Sequence, residues 1–309
     1  WNNLVLFGGG SGRVGCYDIE TNIWYPYNNT VAYRGEDDTT GYVITNDGSA
    51  MGEATIRGMV ILKNNEGNDV LFVYGDKGRV ASCDLSTNTW KAYDTSGGNN
   101  IAIYSNAGAC MDGETIYTSE TYTNPDNETV LVLGGGSGRI CSFIIDRNAW
   151  YNYNHSSTEA SKLCIYSDGS VRNYKAVLSM KKYLESGIYC TGIDGVTSIL
   201  DLTTGGASLL NDGSVVDNKV MYACTIIGNL FIMAGKDGYV ANYNIVRSSW
   251  TKYNDGSGIC SSGYEMGGES IHAILSYGVN IIFAGGLGRI CSYDTTVSSW
   301  ERYDGSGIV

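Results

Sequence analysis

The chain has 309 residues, a formal net charge of −12, 42 glycines and only 2 prolines. The near-absence of proline excludes collagen and Pro-rich linkers. The acidic balance argues against gripping nucleic acid or anionic membrane by phosphate neutralisation. A hydrophobic fraction of 43% supplies a core, no apolar run reaches the roughly 20 residues of a membrane-spanning helix, and no basic-then-apolar leader precedes the first element.

The first copy of a repeated sentence is "GGGSGRVGCYDIETNIWYPYN", Gly8 to Asn28. It returns as "YGDKGRVASCDLSTNTWKAYD" from Tyr74, "GGGSGRICSFIIDRNAWYNYN" from Gly134 and "AGGLGRICSYDTTVSSWERYD" from Ala284. Aligned on one turn glycine (Gly12, Gly78, Gly138, Gly195, Gly238, Gly288), the copies are spaced 66, 60, 57, 43 and 50 residues apart. That range fits propeller blades better than helical solenoids.

Within each copy an apolar run ends in glycine, as in "NLVLFGGG" and "DVLFVYG"; such a run suits a strand covered on both faces. A two-residue turn follows (Ser11-Gly12, Lys77-Gly78, Asp237-Gly238, Leu287-Gly288), where glycine supplies the positive φ a tight hairpin needs. The next strand alternates, and a polar turn leads into a strand carrying Trp. Another strand precedes each copy after the first: "EATIRGMVILKN", "GETIYTSETYT", "YKAVLSMKK", "KVMYACTII", "ESIHAILSYG". Four antiparallel strands per copy make a propeller blade. The predicted fold is therefore an all-β, six-bladed β-propeller in one domain. Its blades fall near 1–29, 54–97, 113–155, 173–212, 218–255 and 269–305, and the first lacks its innermost strand. The chain opens on Trp1 rather than Met and stops at "DGSGIV", which matches the linker start "DGSGIC" at Asp255. The expectation is that a closed ring takes its missing strand from residues outside this sequence or from another chain.

The aromatic and Trp positions recur with one separation: Tyr17 and Trp24, Phe143 and Trp150, Tyr243 and Trp250, Tyr293 and Trp300, with Cys83 and Trp90 in the second copy. Glycine doublets precede them at Gly9-Gly10, Gly135-Gly136 and Gly285-Gly286. With "YDIETNIW", this resembles the Kelch repeat, a β-propeller family. The resemblance implies the fold and that Trp24, Trp90, Trp150, Trp250 and Trp300 pack between blades. It says little of function, since such propellers serve as adaptors, adhesins, structural parts and enzymes. Two departures stand out: a short link between the glycine doublet and the Tyr, and Ala207 at the Trp position of the fourth copy.

The glycine turns and the long linkers fall on one side of the blades, where Tyr, Ser, Gly and Asn suit an interaction surface. Candidate contact residues are Tyr33, Tyr104, Tyr166 and Tyr264, with Arg13, Arg79, Arg139 and Arg289 at one repeated position. Those arginines can clamp a carboxylate or phosphate, or hold loop carbonyls and partners in the next blade; the second reading is favoured. Exposed Trp could stack on sugars; core packing is favoured.

Nine cysteines lack C-x-x-C spacing and read as small buried hydrophobes in a reducing compartment. His155 and His272 have no nucleophile motif beside them, and H-E-x-x-H, G-x-S-x-G and P-loop signatures are absent. "GGGSGR" lies between strands rather than before a helix, so it is no phosphate cradle. "NDGS" and "SDGS" lack the spaced carboxylates of a calcium loop and suit Asx turns. Sequons stand at Asn28, Asn127 and Asn154. No catalytic residue, cofactor or metal is expected. Three functions compete: a structural or adhesive propeller in a virion or extracellular assembly that binds protein or glycan, an intracellular adaptor, and a lectin or sialidase-like enzyme. Expected partners are assembly subunits (including copies of itself, as an oligomer or polymer) or a surface glycan, without nucleic acid or membrane insertion.

Overall fold

The computed structural model describes residues 3–28, 43–64, 66–91, 110–147, 149–154, 164–255 and 258–303. Its elements are strands joined by turns and short 3-10 segments. Blade 1 has β1 (Leu4–Gly8), β2 (Val14–Asp18) and β3 (Ile23–Tyr25). Blade 2 has β4 (Ile56–Lys63), β5 (Asp69–Gly75), β6 (Val80–Asp84) and β7 (Thr89–Lys91). Blade 3 has β8 (Ile116–Thr123), β9 (Thr129–Gly135), β10 (Ile140–Ile144) and β11 (Ala149–Tyr151). Blade 4 has β12 (Val177–Tyr183), β13 (Gly187–Gly192), β14 (Thr197–Asp201) and β15 (Ala207–Asn211). Blade 5 has β16 (Met221–Ile227), β17 (Leu230–Gly235), β18 (Tyr239–Asn244) and β19 (Ser249–Thr251), to which the short β20 (Ser261–Ser262) adds through β18. Blade 6 has β21 (Ile271–Tyr277), β22 (Asn280–Gly285), β23 (Ile290–Asp294) and β24 (Ser299–Tyr303). Each is an antiparallel sheet in sequence order, and the fold is a six-bladed β-propeller with a three-stranded first blade.

The contacts divide the chain into two compact units. One is Trp1–Gly136 with Ile140–Tyr166, the other Ser137–Arg139 with Ser167–Val309. In the first unit, Leu4, Val14 and Cys16 of blade 1 pack against Leu71, Val73 and Cys83 of blade 2. Val70, Phe72 and Tyr74 on the opposite face of β5 pack against Leu131, Leu133 and Phe143 of blade 3. In the second unit, Tyr189 of blade 4 meets Phe231 and Tyr243 of blade 5, while Ile232 and Val240 meet Phe283 and Cys291 of blade 6. Both faces of a middle blade are thus covered, which is why its strands are apolar throughout rather than alternating.

The Trp separation is a cross-strand pair. Tyr17 faces Trp24, Cys83 faces Trp90, Phe143 faces Trp150, Tyr243 faces Trp250 and Tyr293 faces Trp300. Ring centroids lie 4.8 Å apart for Tyr17–Trp24 and Phe143–Trp150 and 5.0 Å for Tyr243–Trp250. Trp90, Trp150, Trp250 and Trp300 are half-buried at the seams between blades. Trp24 departs from the expected packing: it is 64% exposed. The reason is its face of blade 1. Val5 and Phe7 occupy the positions of Leu71 and Val73, yet they are 38% and 44% exposed where their counterparts are 1% and 0%.

Candidate binding surface

The repeated turn is built by two successive positive φ values, as at Ser11 (56°) and Gly12 (69°) or Asp237 (57°) and Gly238 (74°), the geometry that matches the twist of paired strands. The linker leaving each blade returns to that turn. Gly48, Gly169, Gly213 and Gly263 press against the carbonyl oxygens of Ser11, Ser137, Asp194 and Asp237, so closely that a Cβ would collide. Side chains set this approach. Gly48 N–H donates to Asn46 Oδ1 at 2.8 Å and Gly213 N–H to Asn211 Oδ1 at 2.7 Å. Ser49, Ser170 and Ser214 donate their N–H groups to Asp47, Asp168 and Asp212. The "NDGS" motif is therefore a run of Asx turns that seats the linker.

The arginines hold the same linkers. Arg79 Nη1 donates to Met51 O at 3.0 Å and also to Gly52 O. Arg289 Nη1 donates to Met266 O at 2.7 Å and Gly267 O at 3.0 Å. Arg13 lies over the Tyr27 ring at 4.2 Å, and Arg139 is half-buried at the equivalent place. Arg79 and Arg289 are thus spent on backbone carbonyls.

Blade 4 has Val196 where blades 1, 2, 3 and 6 have arginine and blade 5 has Tyr239, and its linker has Arg172 where those of blades 2, 3 and 6 have Met51, Met111 and Met266 and that of blade 5 has Val216. Arg172 is 2% exposed. It donates to Val196 O at 2.7 Å, Ser198 Oγ at 2.9 Å, Cys190 O at 3.1 Å and Lys175 O at 3.2 Å. Burial lowers its pKa to about 10, so the guanidinium stays charged at neutral pH, satisfied by oxygen acceptors rather than a carboxylate.

Charge is also matched at the turns of blades 2, 4 and 5. Lys175 pairs with Asp194 at 2.7 Å and Lys219 with Asp237 at 2.8 Å. Where the equivalent residue is Glu114 or Glu269, the turn opposite has no acid, and the carboxylate lies over Gly136 or Gly286. In blade 2, Arg57 reaches Asp76 at 2.8 Å, and that hydrogen bond holds the Asp76 carboxyl below its usual range.

Of the tyrosine candidates, Tyr264 is 70% exposed, with the Arg302 guanidinium over its ring at 3.7 Å. Tyr166 is half-buried. Tyr33, Tyr104 and His155 lie outside the described residues. All nine cysteines are free and buried. Burial pushes Cys83, Cys164, Cys190 and Cys291 up to about 12 and Cys260 to about 11.

Sequence reasoning missed a further set at this end. Each inner strand has a register shift after its first residue: Ile56/Gly58, Ile116/Thr118, Val177/Ser179, Met221/Ala223 and Ile271/Ala273. Such a β-bulge re-aims one side chain: Arg57, Tyr117, Leu178, Tyr222 or His272. The signal was present in the repeats. The residue before the bulge is always apolar and buried, and the one after is small, while the bulged residue changes type in nearly every copy.

No family model matches the chain, and no curated protein matches it. Solved structures do. A computationally designed protein, Ika8, is similar at a TM-score of 0.54 and 15% identity, covering 98% of this chain and 84% of its own. A chain of the mitotic checkpoint complex is similar at 0.57 and 11% identity, covering 98% and 76%. At these identities the likeness establishes the fold alone.

Proposed function

We propose that the chain is a non-enzymatic binding scaffold that presents the turn-and-linker end of its blades to a protein or glycan, as part of a larger virion or extracellular assembly. The observation that carries this reading is the division of labour at that end. Arg79 and Arg289, with the repeated aspartates and glycines of the linkers, are consumed in seating the linkers, whereas Tyr174, Tyr264 and Leu287, at positions that vary among the copies, reach solvent there. Exposed Tyr174, Tyr264 and Leu287 add large side chains to this end, as a recognition surface on a rigid scaffold would. The Kelch-like reading rests on the glycine doublets and the Tyr–Trp pairs. A second reading, an intracellular adaptor, draws on the nine buried free thiols, which suit folding in a reducing compartment; a particle assembled in such a compartment satisfies both.

The test is binding of the purified chain to a glycan array and a peptide array. Tyr264→Ala and Leu287→Ser are expected to remove a selected interaction. Leu184→Ser and Val246→Ser, at the opposite turns, are expected to leave it intact. Binding that survives the first pair and is lost in the second, or turnover of a substrate, contradicts the proposal.

A further inference from the structure

We infer that the seam between blades 5 and 6 is a site for a small uncharged ring molecule carrying a hydroxyl, in a cavity built on Asn242 and Tyr293. This goes beyond the scaffold reading.

The cavity measures about 260 Å³. Asn242, Ile259, Ile281 and Tyr293 line its buried floor, and exposed Gly258 and Ser298 its rim. Its origin is legible in the repeats. The residue after the seam Trp is Tyr25 in blade 1, packed into the core shared with blade 2, and Tyr151 in blade 3. In blade 5 it is Thr251. Thr251 faces Asn242 across β18 and β19 and lines the cavity, so a smaller side chain stands where a tyrosine ring fills the first seam.

Two buried polar groups on the floor have capacity to spare. Asn242 is 6% exposed and donates an amide hydrogen to Cys260 Sγ at 3.1 Å. That thiol donates onward to Thr251 O at 3.4 Å. The amide is thereby fixed, and no described residue donates to its Oδ1. Tyr293 is 5% exposed, with its ring 5.2 Å from Trp300. No described residue hydrogen-bonds its hydroxyl, and a Cβ on Gly258 would stand 3.7 Å from it. Buried polar atoms without partners are costly, so an occupant that supplies partners is favoured.

These features choose the ligand. Among the described residues no charged side chain lines the cavity, so a carboxylate or ammonium would enter without a counter-charge, at a high desolvation cost. Ile259 and Ile281 suit an apolar body. Asn242 Oδ1 takes a donor and the Tyr293 hydroxyl takes a donor or an acceptor, and a ligand hydroxyl is both. Volume sets the size. A cavity of about 150 Å³ accepts benzene, and drug-sized molecules need roughly 300 Å³ or more; the fit is one substituted ring.

The experiment titrates the full chain with 4-fluorophenol, 4-fluorotoluene and 4-fluorobenzoate at pH 7, read by fluorine NMR line widths, with near-UV circular dichroism confirming the fold of each variant. 4-Fluorophenol is expected to bind saturably and about tenfold more tightly than the other two probes. Tyr293→Phe, which installs the residue found at Phe143 in blade 3, is expected to weaken 4-fluorophenol about fivefold and to leave 4-fluorotoluene unchanged. Thr251→Tyr, which installs the residue of blades 1 and 3, is expected to fill the cavity and weaken both about tenfold or more. Three outcomes overturn the site: no saturable binding of 4-fluorophenol, the cavity then holding water alone; no preference for it over the toluene and the benzoate; or unchanged affinity for it in either folded variant. Each leaves the scaffold reading standing, since neither Tyr264 nor Leu287 lines this cavity.

Discussion

Arg172 donates to the carbonyl oxygen of Val196 at 2.7 Å, and the arginine has changed places relative to blades 2 and 6. In those blades Arg79 and Arg289 follow the turn and reach out to the linker; here the arginine sits in the linker and reaches in. Arg172→Ala strands buried acceptors at Val196, Ser198 and Cys190 and is expected to cost about 3 kcal/mol or more. Arg172→Met together with Val196→Arg rebuilds the blade 2 arrangement and is expected to recover most of the loss suffered by Arg172→Met alone. Urea unfolding midpoints decide this; a double variant no better than the single contradicts the exchange.

Much of this was legible before any coordinates. The strands, the three-stranded first blade and the Asx turns follow from short-range pattern, because hairpin pairing and turn chemistry are local. The carbonyl-binding role of Arg79 and Arg289 was favoured for the same reason, its recurrence at one turn position. Arg172 was not legible, because three of its partners lie 18 to 26 residues away in blade 4 and its own position is filled by Met in three copies. The bulged residues were hidden by their variability, which reads as noise until the register shows that their neighbours never vary in kind. Trp24 was misplaced because its exposure, shared with Val5 and Phe7, sets blade 1 apart from copies that carry the same residue pattern.

The exposed face of blade 1 yields a paired comparison. Phe7→Ser is expected to cost less than about 1 kcal/mol, as a change at a partly solvated position. Val73→Ser, the same site in blade 2 at 0% exposure, is expected to cost about 2–4 kcal/mol through the cavity and the buried hydroxyl. Equal losses in thermal or urea unfolding would show that blade 1 is covered in solution.

Thiol chemistry follows from burial. At pH 8 the native chain is expected to react slowly with a thiol reagent, and all nine cysteines are expected to react in denaturant. The folded thiols at about 11–12 lie above the ordinary value of about 8.5. The unfolded chain therefore loses these protons first as pH rises. Stability is expected to be intact below about pH 8.5 and to fall steadily as pH climbs toward the folded values. Fewer than nine thiols in denaturant would point to disulfides and to secretion.

Acid acts in the opposite sense. Asp47, Asp168 and Asp212 are lowered by their hydrogen bonds with Ser49, Ser170 and Ser214, and Asp201 and Asp294 by theirs with Thr203 and Thr296. Their contribution is present above the unfolded carboxylate value of about 3.9 and is lost as pH falls through the lower folded values. Replacing Asp47, Asp168 and Asp212 together by Asn is expected to flatten the acid limb of a stability–pH curve; an unchanged limb would remove the Asx turns from the account.

The most direct test of the scaffold reading is hydroxyl-radical footprinting of the chain with its array-selected partner. Protection is expected at Tyr174, Tyr264 and Leu287, with Leu184, Val246 and Val297 at the far turns unchanged. Protection confined to Leu184, Val246 and Val297 would contradict it.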